Sequence, residues 1–317
     1  MRKTVIYENK SLYRDSFKVH GFVFGEGEDV KKSVCIMGNL RGNEYQQLYT
    51  CSRIVQALKG LEERGALLPG HEILVVPSAN PYSMNIGKRF WPIDDTDINR
   101  MFPGYAEGET TQRIAGGIFD QISDYEYGIQ LVSNYLPGKF MPCISVMKTE
   151  LGDYTDLAKE FGMPYVVQRN PRPYDTTTLN YNWQIWETKA FALYLTETET
   201  IDKEAAARGV KAVLSFLAAI GAVDYRGHAG YRSQVVDDGD MVSVRTKYAG
   251  LFEPAVCVER EVIAGQLLAS VLDPLDGEVL EHIYAPSDGV VFFVHADPLT
   301  YAHAAVIKLI PWELDRV

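Results

Sequence analysis

Ser33-Val34-Cys35-Ile36-Met37-Gly38-Asn39-Leu40-Arg41-Gly42-Asn43-Glu44 is the stretch on which the reading of this chain turns. Its first five residues form a short apolar run, the signature of a strand covered on both faces. The run ends at Gly38, and Gly42 follows four residues later. From Tyr45 to about Arg64 the apolar positions Leu48, Cys51, Ile54, Val55, Leu58 and Leu61 recur at three and four residues, as a core-facing helix requires. A strand that breaks at glycines and becomes a helix marks the carboxyl edge of an α/β sheet, where such proteins place their chemistry. Here that edge carries Arg41 and Glu44 three residues apart. The pair is able to bind a metal, a substrate, or only each other.

Working outward, residues 3–25 read as one or two strands, with a turn at Gly25-Glu26-Gly27-Glu28-Asp29. Glu72–Pro77 is a further buried strand. Ser78 to Gly104 shows no periodicity, and loops this long inside compact domains are usually functional or disordered. This one mixes Arg89, Asp94, Asp95, Asp97, Asn99 and Arg100 with Phe90, Trp91, Met101 and Phe102, which argues for an ordered loop packed on the body. A helix is expected over about Thr110–Ser123, and strands over Tyr127–Val132 and Cys143–Met147. Helix, strand, helix and strand follow at Tyr154–Phe161, Pro164–Gln168, Thr178–Thr188 and Phe191–Thr196. A last helix runs from about Lys203 to Ile220. From Tyr231 on, only short strands and turns remain. The expected organisation is therefore an α/β domain over 1–224 and a small β-rich domain over 225–317.

The composition narrows the function. In a chain of 317 residues, 46% are hydrophobic and 23% charged, ordinary values for a globular protein, and the net charge is −11. A general nucleic-acid binder needs a basic face, so no nucleic-acid partner is expected. The four cysteines, Cys35, Cys51, Cys143 and Cys257, show no CxxC spacing and no disulfide framework. The N-terminus turns charged too soon for a secretory signal, and no apolar run approaches the ~18 residues of a membrane span. A cytoplasmic protein without a membrane partner is expected; an oligomer is compatible with the sequence.

Several segments, taken together, resemble the succinylglutamate desuccinylase/aspartoacylase family, within the zinc carboxypeptidase-like fold. The carrying residues are Gly42-Asn43-Glu44 after a strand, Asn80-Pro81, Gly87-Lys88-Arg89-Phe90-Trp91-Pro92-Ile93-Asp94 and Asp97-Ile98-Asn99-Arg100-Met101-Phe102-Pro103-Gly104. Thr196-Glu197 and Ala285-Pro286-Ser287-Asp288-Gly289-Val290-Val291 follow in the right order. The resemblance implies an α/β/α sandwich with a mixed sheet and a C-terminal all-β domain. It also implies hydrolysis of N-acyl amino acids by a zinc-activated water, the metal held by His-x-x-Glu and a distant His. On the same basis Glu197 is the general base, the loop arginines hold the substrate carboxylate and the developing oxyanion, with Arg89 counted as catalytic, and Arg89, Asn99 and Arg100 bind substrate; ordinary surface residues are the alternative for these three.

The sequence departs from that pattern at both imidazoles. Arg41 stands where the first His belongs, and Val132 of Gln130-Leu131-Val132 where the second does; Glu44 alone survives of the metal ligands. A guanidinium does not become a ligand. Two expectations follow. One is a divergent or non-catalytic relative without a resident cofactor, binding a small carboxylate-bearing molecule of the N-acyl amino acid type through Arg41, Arg89, Asn99 and Arg100. The other is an active metal-dependent hydrolase, holding zinc through substitute ligands such as Asp94, Asp95 or a moving histidine. For Arg41 and Glu44 a buried ion pair that holds the loop stands beside carboxylate recognition, and Glu197 is either a base or a paired carboxylate. A third reading is a structural or regulatory partner of an active paralogue. The six histidines show no ligand spacing; His228 lies near the domain junction.

Overall fold

A computed structural model of the chain describes residues 1–10, 16–25, 27, 29–227 and 230–312. The chain divides into two compact units. One comprises residues 1–133 and 142–234, the other 134–141 and 235–317.

In chain order the first unit holds β1 (Arg2–Asn9), β2 (Phe17–Phe24), β3 (Lys31–Asn39), α1 (Tyr45–Glu63), β4 (His71–Ser78), α2 (Pro81–Asn85), α3 (Thr110–Ile122) and β5 (Tyr127–Val132). After β6 (Gly138–Phe140), which belongs to the other unit, come β7 (Cys143–Met147), α4 (Thr155–Ala158), β8 (Tyr165–Arg169), α5 (Leu179–Ile185), β9 (Lys189–Tyr194) and α6 (Lys203–Ala219). Eight of its strands form a mixed sheet in the order β1-β2-β4-β3-β5-β9-β7-β8. The centre is parallel: β3 pairs with β4 and β5, and β5 with β9. The register sets Met37 beside Gln130, Gln130 beside Ala192, and Val132 beside Tyr194. The carboxyl ends of β3, β5 and β9 thus lie at one edge.

Alternation along these strands feeds two cores. Ile36, Ile129, Leu131, Phe191 and Leu193 meet Ile54 and Leu58 of α1 and Val213, Phe216 and Leu217 of α6. Cys35, Met37, Leu74 and Val76 point the other way, to Ile114, Ile118 and Phe119 of α3 and Trp183 of α5. Each fully buried side chain of this size contributes about 1.5–3 kcal/mol. Trp183 lies flat against Gly128: a Cβ there would come within 2.6 Å of the indole ring. The indole Nε1–H donates to Ile122 O at 3.1 Å.

The long loop after β4 is ordered by local caps rather than by periodicity. Asn80 Oδ1 accepts from Ser83 N and starts α2, whose five residues are too few to show a helical repeat. Asp97 caps a single 3-10 turn over Ile98–Arg100 by accepting from Asn99 N.

The second unit is all β. After β10 (Gln234–Asp237), at the boundary, it contains β11 (Val242–Arg245), β12 (Gly250–Pro254), β13 (Glu261–Val262), β14 (Leu267–Leu272), β15 (Val279–Tyr284), β16 (Gly289–His295), β17 (Leu299–Thr300) and β18 (Ala305–Pro311). They form antiparallel sheets β11-β18-β16-β13 and β15-β14-β12-β17, closed around Val262, Leu268, Val271, Val291, Ile307 and Leu309. β6 joins the first of these through Phe140 opposite Phe293. The units therefore differ in outline from a single cut at 224. Residues 134–141 go with the β-rich unit because three residues of β6 pair with β16. Residues 230–234 stay with the first unit, where Tyr231 N donates to Gly162 O and Ser233 Oγ to Met163 O.

Cys35, Cys51 and Cys143 are buried free thiols, and Cys257 is exposed. Among the described residues no helix is long and apolar enough to cross a membrane. His228 lies outside the described residues, as do Glu26 and Glu28 of the turn expected at 25–29.

Candidate functional site

The floor of the site is the turn between β3 and α1. Asn39 Nδ2 donates to Arg41 O at 2.7 Å and its Oδ1 accepts from Ser78 Oγ at 2.8 Å, tying the turn to β4. Gly42 N donates to Arg89 O at 3.0 Å. A Cβ on Gly42 would sit 2.2 Å from Lys88 O, so the close approach of this turn to the long loop requires glycine.

This turn folds the Glu44 carboxylate back on itself. Oε2 accepts from the backbone N–H groups of Leu40 and Arg41, both at 3.0 Å. Oε1 accepts from Ser133 Oγ at 2.6 Å and from Arg41 Nη1 at 3.2 Å. Arg41 reaches across to the long loop: Nε and Nη2 donate to Asp97 Oδ2 at 3.0 and 2.9 Å. Asp97 Oδ1 is taken by Asn99 N at 3.0 Å. Arg41 is 2% exposed and Glu44 1%, so this is a buried guanidinium between two carboxylates. The formal charge of the three groups is −1. Each oxygen of Glu44 meets two donors, about the full lone-pair capacity of a carboxylate.

Around this group stand the other residues singled out in the sequence. Asn99 is buried, and its Oδ1 accepts from Gln130 Nε2 at 3.2 Å and from Leu179 N at 3.3 Å. Gln130 thus orients an amide of the long loop. Val132 ends β5 with only methyl groups to present; its carbonyl accepts from Gln47 Nε2 at 3.2 Å. Arg100 donates through Nη1 to the Tyr174 carbonyl and lies over the Tyr174 ring, 5.3 Å from its centroid. Arg89 is half-buried with its guanidinium 5.6 Å from the Phe90 centroid. Glu197 lies beyond the end of β9, which stops at Tyr194, and its Oε2 accepts from Thr200 Oγ1 at 2.9 Å. Asp94 and Asp95 are exposed, and Asp94 Oδ1 caps its own turn at Thr96 N. Among the described residues there is no group of three or more His, Cys, Asp or Glu placed to hold a metal ion.

The structure thus joins Arg41 and Glu44, and adds two residues that sequence reasoning did not assign to the site. Asp97 belongs to the motif that carries the family resemblance, yet nothing local marks it as the partner of Arg41. Ser133 follows β5 directly, and a lone serine after a strand carries no signal.

A mixed α/β sheet with its polar cluster at the carboxyl edge, followed by an antiparallel β unit, defines the class: the zinc carboxypeptidase-like fold. The family model for the succinylglutamate desuccinylase/aspartoacylase catalytic domain matches residues 30–220, and the chain belongs to that family. It is 23% identical over 295 residues to N-alpha-acetyl-L-2,4-diaminobutyric acid deacetylase of Halomonas elongata, covering 84% of this chain and 77% of the relative. A succinylglutamate desuccinylase structure from Silicibacter sp. TM1040 superimposes with a TM-score of 0.79 at 20% identity, covering 96% of this chain and 91% of that one. The product-bound ectoine utilization protein EutE of Ruegeria pomeroyi gives 0.74 at 19% identity, with 98% and 99% covered.

Proposed function

We propose that this chain is a member of the family that works without zinc, binding a small carboxylate-bearing compound of the N-acyl amino acid type in the cytoplasm. The observation that carries the reading is the state of Glu44. Catalytic zinc needs three protein ligands and an open position. Here one ligand position is a guanidinium, one a valine, and the surviving carboxylate has each oxygen already accepting two hydrogen bonds. A divalent ion beside Glu44 would also stand about 4 Å from the Arg41 cation, a repulsion of about 8 kcal/mol at an effective dielectric constant near 20. The residues present do not fit the metal.

Of the two roles open to Arg41, its geometry favours the internal ion pair. A guanidinium that gives three of its N–H groups to Asp97 and Glu44, in a cluster of net charge −1, is poorly placed to attract a second anion. Carboxylate recognition then falls to Arg89, Asn99 and Arg100. Arg41 contributes by holding the β3 turn to the loop that carries them.

A metal-dependent deacylase is the second reading, favoured by the name of the Halomonas relative, with Glu197 as its base. The two separate in one experiment. Calorimetric titration with N-succinylglutamate and N-alpha-acetyl-2,4-diaminobutyrate should show binding without hydrolysis, unchanged by a chelator. Turnover that stops on chelation and returns with zinc would refute the proposal.

A further inference from the structure

α1 and α6 lie side by side and run the same way. At their starts Gln46 Nε2 donates to Asp202 O at 2.9 Å, and Asp202 N donates to Gln46 Oε1 at 2.8 Å. Further along, a Cβ on Gly209 would come within 3.2 Å of Thr50 Cγ2, so the helices approach closely there. Their inner faces are apolar, with Ile54 and Leu58 of α1 meeting Val213, Phe216 and Leu217 of α6. Their outer faces carry Tyr49, Arg53 and Gln56 on α1 and Lys203 and Lys211 on α6, at the three-, four- and eight-residue spacings of a single helix face.

These five side chains wall a groove of about 560 Å³ between the two helices. Its depth comes from the small side chains of Ala57, Ala206 and Ala207, and its volume is that of a small-molecule site. Among the described residues no carboxylate lines it. Arg53, Lys203 and Lys211 make no ion pair with a described residue, and the side chains of Tyr49 and Gln56 make no hydrogen bond with one. Elsewhere cations are matched: Lys32 with Asp124, Lys189 with Glu126, Arg169 with Asp175. The chain holds 42 acidic residues against 31 basic ones, so carboxylates are in excess. Three cations nevertheless gather around this groove without one. Like charges lining a cleft with low-dielectric walls focus positive potential into it, and an anion relieves their repulsion.

The spacing narrows the class of anion. Lys203 and Lys211 are eight residues apart, about 12 Å of helix rise, and Arg53 faces them from α1. One inorganic phosphate does not span that distance, whereas a compound with several anionic groups along its length does. Arg53 supplies a planar fork suited to carboxylate or phosphate oxygens, and the lysines supply compact charges. Tyr49 Oη and Gln56 Nε2 add uncharged donors.

We propose that the groove between α1 and α6 is a binding site for a small organic polyanion, one with three or more negative charges on phosphate or carboxylate groups. It shares no residue with the site at the carboxyl edge of the sheet, and its occupancy does not depend on how that site works.

Calorimetric titration of the full chain at fixed ionic strength tests this with two probes, tripolyphosphate and citrate, and with acetate as the singly charged control. At least one polyanion should bind saturably, one per chain, and acetate should not. Tighter tripolyphosphate assigns phosphate groups to the ligand, and tighter citrate assigns carboxylates. Arg53→Gln and Lys211→Gln should each weaken binding about tenfold, the value of one hydrogen bond to a charged group. Both residues are exposed, so Tm without ligand should stay the same. Ala207→Trp fills the groove at unchanged charge and should abolish binding, which a merely long-range effect of charge would not do. Saturable binding of neither polyanion overturns the proposal. So does wild-type affinity in Ala207→Trp or in the triple variant Arg53→Gln, Lys203→Gln, Lys211→Gln. Binding of a polyglutamate peptide with neither small anion bound would also overturn it, and would assign the groove to an acidic protein segment.

Discussion

Replacing Arg41 by methionine removes the charge from the centre of the site at nearly constant volume. Glu44 keeps the Leu40 and Arg41 backbone N–H groups and Ser133 Oγ. Asp97 Oδ2 loses both guanidinium contacts and retains, on its other oxygen, the bond from Asn99 N. Most of the cost should therefore fall on Asp97, whose side chain is 11% exposed. Removing one partner of a buried pair costs about 3–5 kcal/mol, because the other charge stays buried and loses that attraction. For a unit of this size each kcal/mol is worth about 2–4 °C, so Tm should fall by roughly 6–20 °C. Urea denaturation of wild type, Arg41→Met, Asp97→Asn and the double variant supplies the assay. Removing both charges should cost less than the sum of the single losses, with an interaction energy of about 1–3 kcal/mol. The reasoning fails if Arg41→Met changes stability by less than about 0.5 kcal/mol, the range of an ordinary surface substitution. It also fails if the two substitutions add within about 0.3–0.5 kcal/mol.

Two further outcomes follow from other parts of the structure. Burial alone would raise the Glu126 pKa, but hydrogen bonds from Lys31 and Lys189 more than offset it and bring it from 4.5 to about 2. A carboxylate depressed on folding stabilises the protein above its unfolded pKa, and that stability is lost as pH falls from about 4.5 through about 2; Glu126→Gln should flatten this part of the stability profile, and an unchanged slope would count against it. Gly128→Ala puts a methyl group against Trp183 and should cost about 1–3 kcal/mol, with a change in the tryptophan near-ultraviolet circular dichroism; a neutral effect on both would mean that the indole is not seated there.

Much of the fold is readable in the chain because its signals are local. The three- and four-residue spacing of Cys51, Ile54, Val55, Leu58 and Leu61 matches α1, and the apolar run at Ser33–Met37 lies within β3. What is not readable depends on pairing through space. Three residues at Gly138–Phe140 have no periodicity, and only β16 makes them a strand. Arg41 and Asp97 are 56 positions apart, and an aspartate that starts a 3-10 turn looks the same whether or not an arginine arrives on its free side. The inward turn of Glu44 depends likewise on Ser133, 89 positions away. Tyr194 is an ordinary strand-end residue until the register sets it beside Val132. The contacts that occupy Arg41 and Glu44 are visible only in the fold.

We propose that an internal cation, and not zinc, organises the space around Arg41 and Glu44. Elemental analysis tests it most directly, on untagged protein from zinc-supplemented growth after gel filtration. The predicted result is zinc far below one ion per chain, with full carboxylate binding retained. About one zinc per chain, lost from wild type together with N-acyl amino acid hydrolysis on chelation, would contradict it.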